Sequence, residues 1–264
     1  MKKAIVFDNS GTLVKRHRVI KDINNNKFIT NINSMDIIDG TTSLALVVLQ
    51  FDTNNLLKIP KNTLISEVIK RCNIDFDVSF TNAKLTKDEV KQILFNEKNA
   101  TIADIIDAFP LLKDKVPKFE LCNGSALIIN MDLSTIEYTI TSAGMLFSGV
   151  IDTIKVLKSR GIEIYIASGD RKGAIHKLAD IIETKRENAF GSVSPIGKWE
   201  IVHDLQKDGY KVMMVGDAIN DLIAFNQADV SVLTIEQEEE ISPKMLDKSD
   251  YVINHISEIV NIDF

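Results

Sequence analysis

Only two cysteines, Cys72 and Cys122, occur in the 264 residues, and neither stands in a Cys-x-x-Cys or Cys/His spacing. The pair implies neither a metal centre nor a disulfide, and both thiols read as buried structural residues. Long apolar runs are missing too: the longest, Leu44 to Leu49, falls far short of the roughly 20 residues that a membrane helix needs. A membrane span, and with it a transporter, is excluded. Met1-Lys2-Lys3 leads directly into a short strand without a signal segment, so a cytoplasmic location is expected. Basic charge is scarce as well, with 31 Lys and Arg against 37 Asp and Glu. Phosphate-backbone binding needs a basic face, so nucleic acid is not expected as a main partner. The densest basic run, Lys15-Arg16-His17-Arg18, is short and reads as a solvated strand end. Repeats and low-complexity tracts are absent apart from the acidic run from Glu236 to Glu240, which reads as a solvated loop or helix face.

What is present is an ordinary globular composition, 45% hydrophobic and 26% charged, with enough apolar mass for one or two cores. Strand signals at Lys3 to Phe7, Glu163 to Ala167, Lys211 to Val215, Val230 to Leu233 and Tyr251 to Ile253 are mostly continuous apolar runs, the pattern of a sheet covered on both faces. Helical periodicity lies between them, at Val150 to Leu157 with a closing Gly161, Ile175 to Ile182, Trp199 to Leu205, and from Leu222 to Phe225. Strand and helix in alternation predict an α/β core with a doubly wound parallel sheet.

Residues 18 to 144 break this rhythm. A hairpin-like pair, Val19 to Ile23 and Phe28 to Ile32, is followed by a strand over Leu44 to Phe51. Helix candidates then run over Leu64 to Cys72, Thr86 to Phe95 and Thr101 to Phe109, and strands over Ala126 to Met131 and Thr135 to Thr141 close the segment. The reading is an α+β domain inserted into a core made of residues 1 to 17 and 145 to 264.

Three strand ends carry the chemistry. Asp8 follows Ala4-Ile5-Val6-Phe7 and opens the turn Asn9-Ser10-Gly11-Thr12, while Ser168-Gly169-Asp170 follows Ile166-Ala167, and Gly216-Asp217-Ala218-Ile219-Asn220-Asp221 follows Val215. Each lies where the carboxyl edge of a parallel sheet collects ligands. At average composition, Asp-x-x-Gly-Thr is expected by chance about 5% of the time in a chain this long, and Gly-Asp-x-x-Asn-Asp well under about 1%. An isolated Asp after a strand is commonly a turn former or a helix cap. The order of the three motifs, with Lys198 between the second and third, argues for more.

On these residues the chain resembles the haloacid dehalogenase superfamily of phosphotransferases, and within it the phosphorylation domain of P-type ATPases. The stretch from Ser194-Pro195-Ile196-Gly197-Lys198 through Val215-Gly216-Asp217 to Ala228-Asp229-Val230 is similar to the ATPases for more than thirty residues. The resemblance covers about half the chain and leaves the insertion out. It implies an aspartyl phosphate formed on Asp8, the covalent route that divides one hard step into two. It implies Mg²⁺ held by Asp8, the backbone carbonyl of Ser10 and Asp217, with Asp221 behind them. It also implies phosphate held by Ser168, the Gly169 amide, Asn220 and Lys198. His176 and His203 read as surface residues.

Two departures bear on function. Phosphatases of this superfamily carry a second Asp two residues after the nucleophile as general acid and base; here that residue is Ser10, so hydrolysis is expected to be slow. The insertion lacks a His-Pro pair and a Lys-Gly-Ala-type loop, so ATP binding is not supported. The expected activity is a Mg²⁺-dependent phosphohydrolase whose cap domain selects a small phosphorylated metabolite. The alternative is a phosphate-responsive regulatory protein that turns over once or not at all. The oligomeric state is not legible.

Overall fold

The computed structural model describes residues 2–30, 34–116, 121–237 and 241–264. The first strand, β1 (Lys2–Phe7), carries the wholly buried run Ala4 to Phe7. After the turn come β2 (Val14–Asp22), β3 (Lys27–Ile29), α1 (Ser34–Ile38), β4 (Leu44–Leu49), α2 (Ile65–Arg71), β5 (Phe76–Thr81) and α3 (Lys87–Asn96). Two short helices, α4 (Ala103–Ile106) and α5 (Phe109–Lys113), precede the long strands β6 (Leu121–Asn130) and β7 (Thr135–Leu146). The chain then alternates: α6 (Val150–Ser159), β8 (Ile162–Ala167), α7 (Lys172–Ile181), β9 (Ala189–Phe190), α8 (Pro195–Lys207), β10 (Tyr210–Gly216), α9 (Leu222–Gln227), β11 (Val230–Thr234), α10 (Pro243–Lys248) and β12 (Tyr251–Ile253).

These elements form two compact units, Met1–Arg16 with Gly144–Phe264, and His17–Ala143. In the first unit, six strands in the order β12-β11-β10-β1-β8-β9 pair in parallel. The expected α/β class is met, since α/β crossovers are what a parallel sheet requires. After β1 the chain builds outward through β8 and β9, then returns to β1's other side for β10. That reversal puts the switch point of the sheet at β1. Ala4, Val6, Val202, Val212, Met214, Phe225 and Leu233 pack together on one face.

The second unit has its own six-stranded sheet, β3-β2-β7-β6-β4-β5, with antiparallel pairing of β2 with β3 and of β4 with both β5 and β6. Val47, Val68, Leu94, Leu127 and Ile129 belong to a separate apolar cluster. Helix α3 starts as its sequence directs: Thr86 accepts from the Glu89 amide, and Glu89 returns a bond to the Thr86 amide.

Several local expectations need correction. The helix expected over 101–109 is two helices, because the Pro110 ring would strike the Ile106 carbonyl four residues back in a continuous one. The strand β5 was not expected; only its first residue, Phe76, is fully buried, which leaves little apolar signal. Cys72 is exposed, since α2 ends at Arg71 and Cys72 turns away as its C-cap. Lys15 to Arg18 are half-buried in β2, and Arg16 is bracketed by Gln237, whose side chain accepts from its amide at 3.0 Å and donates to its carbonyl at 2.9 Å. Glu236 is largely buried, accepting from the Ile256 amide at 2.8 Å. Residues 238–240 of that acidic run, and 31 and 32 of the expected hairpin, lie outside the described residues.

The Phe147 amide donates to the Leu13 carbonyl at 3.1 Å, so the two chain crossings out of the first unit are adjacent within it. Joining Arg16 to Gly144 through a short linker is therefore expected to yield a folded core that melts cooperatively. A product lacking near-UV circular dichroism and a cooperative melt would show that the two units depend on one core.

Candidate active site

Phe7 is in register with Ile166 of β8 and Val215 of β10, so Asp8 emerges between the turns that follow those strands. Its amide extends the ladder by one bond to the Val215 carbonyl, 2.8 Å. The chain then folds back sharply, with the amides of Thr12, Leu13 and Val14 all converging on the Asn9 carbonyl. Gly11 has φ +96°, and a Cβ there would stand 2.0 Å from Asp217 Oδ2. Only glycine permits both the turn and the approach of that carboxylate. Gly216 is required in the same way, since its Cβ would fall 2.3 Å from Asp221 Oδ2.

Helix α8 delivers the cation. Ser194 caps it by accepting from the Gly197 amide at 3.1 Å, and Pro195 fills the first turn, where its missing N–H is no loss. Lys198 is thereby turned inward and is 1% exposed. Its Nζ donates to Asp8 Oδ1 at 2.5 Å and to Asp221 Oδ1 at 2.6 Å. The other oxygen of Asp221 accepts from the amides of Asp217 and Ala218 at 3.2 and 3.4 Å, so both of its oxygens are engaged.

Negative charge is in surplus here. Burial pushes the Asp8 carboxyl up from 3.8 to about 7; Lys198 opposes the shift, and Asp221 and Asp170 add to it. Asp217 is held well above the usual carboxylate range by burial and by Asp8, with Arg16 opposing. For Lys198, burial works against the charge, but Asp221 and Asp8 overcome it and hold the ammonium above its ordinary range. Ligand oxygens of Asp8, Asp217 and Asp221 lie within 4.8 Å of one another. An all-oxygen set this tight, carrying uncompensated charge, fits a hard divalent cation.

The remaining expected residues are brought to the same edge. Ser168, buried at the end of β8, donates from Oγ to Asp170 Oδ2 at 3.1 Å, and the same oxygen accepts from Ser10 Oγ at 2.9 Å. Gly169 lies between Ser168 and Asp170, and Asn220 lies in the helical turn Ile219–Asp221. Sequence reasoning assigned no role to Asp170 or Asn9, yet the Asn9 amide donates to Asp170 Oδ2 at 2.7 Å. Spacing within Ser-Gly-Asp was the one available sign. His176 and His203 are half-buried rather than on the surface, and His203 stacks on Trp199 with ring centroids 4.9 Å apart.

Strand-end carboxylates, a buried lysine and hydroxyls meet at the switch point of a parallel sheet, groups whose chemistry suits phosphoryl transfer. Residues 2–229 match the family model for haloacid dehalogenase-like hydrolases, and the chain belongs to that family. It is 37% identical to a soluble P-type ATPase-like phosphatase of Methanocaldococcus jannaschii, across 99% of this chain and 93% of that protein. The expected class, a haloacid dehalogenase-type phosphatase, is met. It is also 42% identical over 88 residues to a chloroplastic copper-transporting ATPase, PAA2, of Arabidopsis thaliana, spanning 33% of this chain but only 10% of that one. The catalytic domain of the CPx-ATPase CopB-B shares the fold, with a TM-score of 0.51 at 14% identity, covering 98% of this chain and 88% of that domain. Among the described residues no helix is long and apolar enough to cross a membrane.

The raised Asp8 carboxyl has a measurable sign. Its stabilising contribution is complete below the unfolded value of 3.8 and is lost as pH rises through about 7. In chelator, the melting temperature is expected to fall between about pH 5 and about pH 8, and a divalent cation should raise it more at the higher pH. A melting temperature in chelator that is level across this range would contradict the account.

Proposed function

We propose that the chain is a Mg²⁺-dependent phosphohydrolase in which Asp8 forms an aspartyl phosphate, acting in the cytoplasm on small phosphorylated metabolites. The observation that carries this reading is the pair of bonds from buried Lys198 to Asp8 and Asp221. Lys198 fixes Oδ1 of Asp8, and the second carboxylate oxygen is the one that attacks phosphorus. Asp8, the Ser10 carbonyl and Asp217 would hold Mg²⁺, with Asp221 engaged behind them. When bound, the ion would neutralise the phosphoryl oxygens and permit a dianion to approach three carboxylates. Ser168, the Gly169 amide, Asn220 and Lys198 supply the donors that orient the phosphoryl group. The unit His17–Ala143 acts as the cap that selects the substrate.

The test is turnover of an aryl phosphate. Multiple turnovers with Mg²⁺, abolished by EDTA, are expected. Asp8→Asn is nearly isosteric but a far poorer nucleophile, and it should lower kcat by at least about a thousandfold with little change in melting temperature. Activity within about tenfold of wild type would mean that Asp8 only positions the metal. A second reading, a phosphate-responsive regulatory protein, is favoured by Ser10, because a hydroxyl is no general base near neutral pH. A single burst without turnover would select it.

Hydrolysis of the phosphoenzyme is the step that Ser10 leaves slow. Ser10→Asp introduces a group able to protonate the leaving oxygen and then activate water, and should speed phosphoenzyme decay by at least about tenfold. The Ser10 hydroxyl lies 2.9 Å from Asp170, so a carboxylate in its place meets a like charge. The gain should therefore be larger when combined with Asp170→Asn. Single-turnover decay measures it, and an unchanged rate in both backgrounds would show that another group already performs the acid–base role.

A further inference from the structure

Asp170 Oδ2 collects three side-chain donors at once, Asn9 Nδ2 at 2.7 Å, Ser10 Oγ at 2.9 Å and Ser168 Oγ at 3.1 Å. Two of the donors come from the turn after β1 and one from the turn after β8, so a single oxygen ties the two loops. Asp170 itself is half-buried. Three hydrogen bonds from an amide and two hydroxyls are how such a site would grip one oxygen of a phosphoryl group.

A hydroxyl has one proton to give. While Ser168 donates to Asp170, it cannot donate the same proton to a phosphoryl oxygen, and the same holds for Ser10. We propose that Asp170 is a positioning residue that competes with phosphate: it holds Asn9, Ser10 and Ser168 in place when no phosphoryl group is bound and yields their protons to the substrate's oxygens. This rests on the proposed function in that Ser168 is taken to bind phosphate. The carboxylate acts in two ways of the same sign, as a rival acceptor and as a like charge beside a dianion. Its cost in affinity is balanced by loops kept ordered.

A purely structural Asp170 makes the opposite forecast. Removing a tether would loosen the loops, lower the melting temperature and weaken phosphate binding. Removing a competitor tightens it.

The experiment is calorimetric titration of the full-length protein with inorganic phosphate in the presence of Mg²⁺, for wild type, Asp170→Asn and Asp170→Ser. Both variants are expected to bind phosphate about threefold to tenfold more tightly than wild type, with a matching fall in KM for an aryl phosphate whatever happens to kcat. Two variants are used because either substitution alone could impair folding. Equal or weaker binding in a folded variant overturns the proposal, as does failure of both variants to fold. Wild-type protein that binds no phosphate with Mg²⁺ would instead sink the functional reading itself.

Discussion

One buried ammonium organises the catalytic edge of this protein. Lys198 bridges Asp8, at the end of β1, and Asp221, in the turn after β10, while being supplied from the start of α8. Three elements are thereby locked at one point. Burying such a triad gains little net stability, because desolvation offsets the Coulombic attraction, yet removing Lys198 leaves uncompensated buried charge at a cost of about 3–5 kcal/mol, whereas loss of Asp8 leaves Lys198 still paired with Asp221. The arrangement therefore makes geometry rather than stability: it fixes which oxygen of Asp8 is engaged and holds the ammonium between Asp8 and Asp221. It also leaves Asp217 and the rest of Asp8 short of positive charge, which is the physical ground for expecting a cation.

The glycines serve the same constraint from the other side. At Gly11 and Gly216 a methyl group would collide with the carboxylates of Asp217 and Asp221 respectively. The turns that follow β1 and β10 have been pared back so that three acidic side chains can share a space less than 5 Å across. Asp170 then ties the β1 and β8 loops into one polar network through Asn9, Ser10 and Ser168.

Much of the core was legible in the sequence because a parallel sheet buried on both faces writes itself as mostly continuous apolar runs, and β1, β8, β10 and β11 are close to that pattern, with Glu163, Lys211 and Ser231 as interruptions. Asp8, Ser168 and Asp217 could be read for a related reason, since each directly follows one of those strands, whereas Lys198 lies in α8 and was legible through its place between the second and third motifs. What could not be read depends on contacts across the chain. Asp170 meets Asn9 and Ser10 only because β1 and β8 are neighbours in register, 160 residues apart in sequence. In the inserted unit, β5 is half-buried and polar in alternation, so its pairing with β4 rather than its composition makes it a strand. Cys72 shows a different failure: its spacing from Ile65, Val68 and Ile69 fits the buried face of α2, but the helix stops one residue earlier.

The central claim is that Asp8 carries the phosphoryl group. It is tested most directly by incubating the protein with Mg²⁺ and an aryl phosphate, quenching in acid, reducing the acyl phosphate with tritiated borohydride, which expels the phosphate and leaves tritium on the phosphorylated side chain, and mapping the tritium by peptide mass spectrometry. The account predicts a labelled peptide containing residues 4 to 13, with Asp8 reduced to homoserine. Turnover without any trapped label on that peptide, or phosphate retained on Ser10 or Ser168, would contradict it.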